Sequence, residues 1–155
     1  MPSPNRSKQG RKNASAAGND GRGGPVDYET LARFRYELRK FLAFSEVEAN
    51  RSGLTAQQYQ ALMAIRGFSI HEPVSVGDLA DYMLIRHHTA VELVGRMVKL
   101  KIISRSTDPF DGRRVLLQLT PEGERRLRRL YKVHVQELRT MGPTLTRMLK
   151  LFRRL

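Results

Sequence analysis

Apolar residues near the start of the chain recur at spacings of three and four. Leu31, Phe34, Leu38 and Phe41 share one side of a helix that this pattern predicts over residues 27–48. Charged residues occupy the opposite side. An apolar stripe of this kind is more typical of a core or a subunit interface than of a ligand site.

The next two helices are predicted from their first residues. Thr55 followed by Gln58 has the pattern of a capping box, and Ser75 followed by Asp78 repeats it. Gly67 is the expected end of the second helix. The third helix is short.

A fourth helix follows after a polar link. It is predicted from His87 or His88 to Leu100, with these side chains turned inward: Val91, Leu93, Val94, Met97, Val98 and Leu100. Two short helices joined by a tight turn are typical of a helix-turn-helix.

Two strand-like runs come next, over residues 102–105 and 115–119. Between them stands Asp111-Gly112, a dipeptide that favours a tight turn between antiparallel strands. A helix-turn-helix followed by a hairpin with a basic tip predicts a winged helix.

Two more helices are predicted in the last part of the chain. Thr120 is the expected N-cap of a long helix, and Pro121 occupies its first position. Gly142-Pro143-Thr144 is expected to break this helix, so that a separate helix begins near Leu145. The predicted buried stripe of the long helix consists of Leu127, Leu130, Tyr131, His134, Leu138 and Met141.

Composition narrows the possible functions. The 155 residues include 28 Lys and Arg against 15 Asp and Glu, a net charge of +13. This excess favours a polyanionic partner, nucleic acid before a membrane surface, although a basic protein without such a partner is the alternative. The absence of cysteine excludes disulfides, thiol catalysis and Cys-ligated zinc. The sequence contains no run of about 18 apolar residues, so no membrane span is expected. The polar N-terminus is unlike a secretory signal. A cytoplasmic protein is therefore expected.

The basic residues are unevenly distributed. Residues 1–26 carry five basic residues against one acidic residue and are predicted to form a disordered arm. Residues 86–114 carry seven against three, and residues 120–155 carry ten against three. The run from Arg125 to Arg129 has two interpretations, a solvated face or a surface that borders DNA or a cleft for an anionic effector.

Residues 28–141 resemble the MarR family of winged-helix transcriptional regulators. The most specific stretch is residues 108–123, where Asp111, Arg113 and a Leu-Thr pair before a helix-opening Gly are similar to the family's wing signature. The stretch Asp78-Leu79-Ala80 is similar to the first helix of the family's helix-turn-helix. Lys101 stands where the family often has Gly.

The resemblance implies a mainly α (α+β) fold, a winged helix-turn-helix with N- and C-terminal helices that form a dimerisation region. A single domain then spans residues 27–155 after the arm over residues 1–26. The winged helix occupies residues 54–119, and the dimerisation helices occupy residues 27–53 and 120–155.

The resemblance also places the fourth helix in the major groove of DNA, where outward side chains near the helix start read base edges. The candidate contacts on this helix are Arg86, His87, His88, Thr89 and Arg96. For the two histidines, local capping with exposure is an equal alternative.

The wing supplies the remaining candidates. Arg113 aligns with the arginine that the family inserts into the minor groove, and Arg114 stands beside it. Asp111 is implied to hold the wing through a salt bridge, while its position before Gly also fits a purely turn-forming role.

The function implied is a sequence-specific regulator of transcription that binds double-stranded DNA. The resemblance implies a homodimeric repressor on a palindromic operator, relieved by a small aromatic or anionic effector whose binding residues the sequence does not identify. The alternative is a basic architectural DNA- or RNA-binding protein without effector control. No nucleophile elbow, Gly-rich phosphate loop or metal-ligand spacing is present in the sequence, so no enzyme activity, metal or cofactor is expected.

Overall fold

The computed structural model describes residues 28–70 and 72–153. In chain order these form α1 (Tyr28–Arg51), α2 (Ala56–Phe68), β1 (Val74–Ser75), α3 (Val76–Tyr82), α4 (His87–Lys99), β2 (Ile103–Thr107), β3 (Val115–Leu119) and α5 (Pro121–Phe152). The mostly helical chain with one small sheet confirms the predicted fold class. The arm predicted over residues 1–26 lies outside the described residues. None of the helices in the described ranges is long and apolar enough to cross a membrane.

Side chains cap three helices at the positions that the sequence predicted. At the start of α2, the Thr55 hydroxyl accepts from the Gln58 amide at 3.2 Å and the Gln58 side chain accepts from the Thr55 amide at 2.9 Å. Ser75 and Asp78 form the same pair of hydrogen bonds at the start of α3, at 3.2 and 2.8 Å. Thr120 caps α5. Each cap satisfies amides that the helix itself leaves without a partner.

Three helices end in the same way. The residue after the cap has a left-handed backbone, at Gly53 (φ 70°) after α1, Leu84 (φ 53°) after α3 and Lys101 (φ 56°) after α4. The amide of the following residue then donates to the carbonyl five positions back, at 3.0, 3.0 and 3.2 Å respectively. This is the Schellman arrangement, which favours glycine. Lys101 therefore adopts the conformation that the usual family glycine would adopt more easily.

The end of α4 also receives the start of α5. The Thr120 hydroxyl donates to the Lys101 carbonyl at 2.6 Å, and the Thr120 amide donates to the Ile102 carbonyl at 3.2 Å. A Cβ at Gly123 would overlap the Ile102 carbonyl oxygen. The helix-opening glycine is thus required for close contact between α5 and the turn that precedes the wing.

The sheet has the order β1-β3-β2, and both pairings are antiparallel. The predicted wing hairpin is confirmed, with Ile103 opposite Leu119 and Thr107 opposite Val115. The sequence did not predict β1, because a strand of two residues immediately before a helix has no periodicity of its own.

The buried face of α4 differs from the predicted one. Ala90, Leu93, Val94 and Met97 are buried, whereas Val91 is 47% exposed. The buried positions follow the spacing of three and four around the helix, and Val91 lies about 100° away from Ala90. The predicted inward orientation of Val91 was therefore wrong, as was that of Leu100, which is 44% exposed.

The predicted break at residues 142–144 is wrong, because α5 continues through Pro143 to Phe152. Proline removes one intrahelical hydrogen bond and costs roughly 3 kcal/mol in a helix interior. Buried residues on both sides of it, Met141 and Met148, hold the helix in place. The Phe152 ring also packs edge-on against Phe34 of α1, with centroids 5.9 Å apart. Helix α2 likewise continues past its predicted end at Gly67 by one residue, to Phe68.

A buried histidine joins α1 to α5. His134 Nδ1 lies 2.8 Å from a backbone carbonyl one turn earlier, so it must donate there, and its Nε2 accepts from the Ser45 hydroxyl at 2.9 Å. Phe41 packs edge-on against the imidazole, and Tyr59 lies with its ring centroid 4.5 Å away. Burial raises the pKa of Tyr59 to about 12. The predicted burial of His134 is confirmed.

Two other residues of the predicted α5 stripe are exposed, so their predicted burial was wrong. Tyr131 is 55% and Leu138 is 46% exposed. Both lie beside the helix face that contacts α1, and further exposed apolar side chains occur on the same two helices: Leu31, Leu38 and Leu42 on α1, and Leu149 on α5.

Candidate nucleic-acid interface

The start of α4 presents polar side chains to solvent. Arg86, at the N-cap, His87 and His88 are exposed, and Thr89 is half-buried. The Arg86 side chain makes no capping hydrogen bond. The first amides of α4 are thus without the side-chain cap that α2, α3 and α5 have, which leaves them free to bind an anionic group.

Arg96 lies two turns further along α4. It is exposed, and one guanidinium nitrogen lies 3.9 Å from a carboxylate oxygen of Glu92. This pair is at the limit of an ion pair and exposed on both sides, so it leaves Arg96 available to another partner.

The wing tip is ordered by local hydrogen bonds from aspartates. Asp111 accepts from the Arg113 amide at 3.0 Å, and Asp108 accepts from the Phe110 amide at 2.9 Å. Backbone hydrogen bonds between Asp108 and Arg114 and between Arg114 and Asp111 close the loop. These bonds give the wing a defined tip that carries the exposed Arg113 side chain.

The expected salt bridge of Asp111 is not formed among the described residues, so the structure assigns it the turn-forming role. The wing is instead held by Arg114, which lies 3.3 Å from Asp78 at the start of α3 and 3.6 Å from Asp108 at the base of the wing tip.

Asp78 connects the cap of α3 to the wing. Burial raises the pKa of its carboxyl, but the two hydrogen bonds from Ser75 and the neighbouring Arg114 guanidinium outweigh burial and lower it below its usual value. The carboxylate is therefore ionised at neutral pH and accepts from Ser75 and Arg114 together. A motif that the sequence indicated only as a helix cap also fixes the wing against the helix-turn-helix.

A cavity of about 240 Å³ lies between α4 and the wing. Its lining includes His87 from the start of α4 and three arginines, Arg105 from β2 and Arg113 and Arg114 from the wing. Sequence reasoning did not select Arg105 as a site residue. The alternation of side chains along β2 could have indicated Arg105, because it is two residues after the buried Ile103 and therefore lies on the same face of the strand.

Four of the candidate DNA contacts do not line this cavity. Arg86, His88, Thr89 and Arg96 are outside its lining. The described residues contain no cluster of His, Asp or Glu that could hold a metal ion, and His71 lies outside them. The basic start of α5 is separate again, with Arg126 bonded to Glu122 at 2.6 Å and to the Gly53 carbonyl at 3.3 Å.

Residues 52–114, from the end of α1 to the wing tip, match the sequence profile of the MarR family. Over these residues the chain is similar to the winged-helix proteins of the MarR family. The predicted resemblance is confirmed. The profile covers α2, the helix-turn-helix and the first strand and tip of the wing, and it includes every residue that lines the cavity except Val115.

Two curated proteins are similar to part of this chain. An uncharacterized HTH-type transcriptional regulator, YsmB of Bacillus subtilis, is 33% identical over 73 residues, which are 47% of this chain and 50% of YsmB. The transcriptional activatory protein BadR of Rhodopseudomonas palustris is 34% identical over 71 residues, 46% of this chain and 41% of BadR. The matched segments thus span half or less of the length of these relatives.

Solved structures of the family share the fold over most of the chain. A MarR variant from E. coli is 19% identical with a TM-score of 0.67, covering 84% of this chain and 98% of that one. A variant of S. aureus MepR bound to an oligodeoxyribonucleotide is 19% identical with a TM-score of 0.61, covering 83% and 99%. Bordetella bronchiseptica BpsR, whose DNA binding is regulated by 6-hydroxynicotinic acid, is 25% identical with a TM-score of 0.59, covering 81% and 97%.

Proposed function

We propose that this protein is a sequence-specific regulator of transcription that binds double-stranded DNA through α4 and the wing. The supporting observation is the convergence of His87 with Arg105, Arg113 and Arg114 around one cleft between these two elements. A polar helix start beside a hairpin that carries arginines suits a duplex, because one element can enter a groove while the other contacts the neighbouring backbone.

The uncapped start of α4 is proposed to bind a DNA phosphate. A DNA phosphate takes the role that Thr55, Ser75 and Thr120 have on the other helices, accepting from the free amides. His88, Thr89 and Arg96 then contact base edges or phosphates further into the groove, and Arg86 contacts the backbone.

We further propose that the protein is a homodimer, with residues 27–53 and 120–155 as the dimerisation region. The exposed apolar side chains of α1 and α5, including Leu42, Tyr131 and Leu149, support this arrangement, because a second copy would cover them. A two-fold dimer requires a palindromic operator. A monomer in sedimentation experiments at micromolar concentration would contradict this proposal.

We also propose that the protein is a cytoplasmic repressor. A small aromatic or anionic effector releases it from the operator. The regulation of BpsR DNA binding by 6-hydroxynicotinic acid supports control by an effector. The activatory protein BadR is a reason to test whether this protein represses or activates transcription. Thermal-shift measurements with aromatic acids test for an effector, because a ligand of the native state raises the unfolding temperature.

The decisive experiment is a band shift with DNA from the protein's own upstream region. Unlabelled duplex of the same sequence should compete at least tenfold better than random duplex, given the usual ratio of specific to non-specific affinity of about 10³ or more. Equal competition would instead favour a basic architectural DNA- or RNA-binding protein without sequence preference.

A further inference from the structure

The solvent face of α5 carries a long row of basic side chains that the winged helix does not use. The row consists of Arg125, Arg128, Arg129 and Lys132 in the first half of the helix and Arg139, Arg147 and Lys150 in the second half. All seven are exposed, and at 100° per residue they lie within about 60° of one line along the helix. We call this row the α5 basic stripe.

The stripe has almost no neutralising carboxylates. Arg125 pairs with Glu122, which lies at the edge of the stripe and also binds Arg126. Glu124 lies on another side of the helix and pairs with Arg66 of α2, 3.1 Å away. The remaining six basic residues of the stripe form no ion pair within the part of the chain that the structure describes.

Such a row is unfavourable for an isolated helix. Arg125, Arg128, Arg129 and Lys132 lie three or four residues apart, the spacings at which like charges on a helix repel one another. Packing against α1 and α2 would be equally good with neutral or mixed charges at these positions, because all of them point to solvent. The repulsion is relieved when a polyanion lies along the stripe.

The dimensions and composition of the stripe identify the polyanion. From Arg125 to Lys150 the helix rises about 38 Å, at about 1.5 Å per residue, which is far longer than a small anion. Five of the seven cations are arginine, the side chain best suited to phosphate. The stripe has no aromatic platform of the kind that single-stranded nucleic acid uses. Its exposed apolar residues are Pro121 and Pro143, and no large aliphatic side chain lies among the cations for insertion into a membrane surface.

We propose that the α5 basic stripe binds the phosphate backbone of duplex DNA outside the sequence that the winged helix reads. A row of cations along one helix face matches a stiff duplex, whose charges are spaced about 1.7 Å apart along its axis. The stripe binds without sequence preference, because contacts of Arg and Lys with phosphates carry no sequence information. This proposal goes beyond operator recognition and does not require it.

The test replaces Arg125, Arg128, Arg129 and Lys132 together by glutamine in the full chain. The matched control replaces Arg33, Arg35, Arg39 and Lys40 of α1, which are also three exposed arginines and one exposed lysine. Both variants lose the same net charge, so any difference between them reports the position of the charges. Circular dichroism and sedimentation establish that both are folded and have the same oligomeric state as the unmodified protein.

Binding is measured by fluorescence anisotropy on a random-sequence duplex, about 30 base pairs long so that it exceeds the stripe at about 3.4 Å per base pair. The slope of log K against log salt should decrease in magnitude by up to about 3.6 in the α5 variant, from about 0.9 per phosphate contact. The affinity near 0.1 M salt should fall at least about tenfold in that variant, while the α1 variant changes by less than about threefold.

Three results would overturn the proposal. An unchanged slope in the α5 variant removes the stripe from DNA binding, and an equal loss in the α1 variant reduces the effect to bulk charge. A loss on duplex RNA or on anionic vesicles that equals or exceeds the loss on DNA assigns the stripe to another partner. Because the probe has no operator, none of these results depends on whether the winged helix is sequence-specific.

Discussion

The link between Asp78 and Arg114 can be separated into its cap and its ion pair by a double-mutant cycle. Asp78→Ala removes the acceptor of two hydrogen bonds from Ser75, at 2.8 Å to the amide and 2.7 Å to the hydroxyl, together with the contact to Arg114. Arg114→Ala removes the ion pairs and leaves the cap of α3 in place.

The magnitudes follow from the exposure of each group. The Arg114 and Asp78 side chains are 42% and 40% exposed, so solvent screens their ion pair, which contributes about 0.2–1 kcal/mol. Loss of a cap typically costs about 1 kcal/mol, and hydrogen bonds to a charged group add to that. Asp78→Ala should therefore lower the free energy of unfolding by about 1.5–3 kcal/mol, and Arg114→Ala by about 0.5–1 kcal/mol.

Urea unfolding of the two single variants and the double variant measures these values, with an expected coupling energy of about 0.5 kcal/mol. An Arg114→Ala cost equal to that of Asp78→Ala, or a coupling energy of zero, would refute this division between cap and ion pair. The pKa of Asp78 is lowered in the folded state. Its contribution is therefore present above the unfolded pKa of about 4 and is lost as the pH falls through the folded pKa, so the Asp78→Ala cost should shrink on acidification.

The two wing arginines are expected to differ in function. Arg113 is exposed at the tip and forms no ion pair within the described ranges, so Arg113→Ala should change stability by less than about 0.5 kcal/mol. If it contacts DNA, the substitution should weaken operator binding by about 1–3 kcal/mol. The reverse pattern, with Arg113 needed for stability and Arg114 for DNA alone, would contradict the roles proposed from the geometry.

Further predictions concern stability and can be checked by urea unfolding. Gly123→Ala should cost more than about 2 kcal/mol because the added Cβ overlaps a carbonyl oxygen, whereas Gly67→Ala, with open space around it, should be neutral or stabilising; similar effects would contradict the close contact. Lys101→Gly should stabilise by up to about 1 kcal/mol, since φ is 56° there, and a loss of stability would count against the left-handed conformation. Ser45→Ala should cost about 1–3 kcal/mol by leaving the buried His134 Nε2 without its donor, and a cost near zero would show that the hydrogen bond is dispensable.

The sequence was sufficient to predict the features that depend only on residues close together in the chain. The caps at Thr55, Ser75 and Thr120 were predicted from the sequence, because each depends on a hydroxyl and an amide three residues away. The turn at Asp111 was predicted for the same reason. A winged helix with basic residues on its recognition helix and wing follows from the order of these signals.

Contacts between distant residues decided the rest. Pro143 does not end α5, since Met141 and Met148 on either side of it are buried and attach the helix to the rest of the fold. Arg114 holds the wing through Asp78, a residue 36 positions away that the sequence presented only as a helix cap. The sequence therefore determined where helices and turns begin. Tertiary packing decided how far α5 extends and which arginine of the wing remains free, because both depend on groups that only the fold brings together.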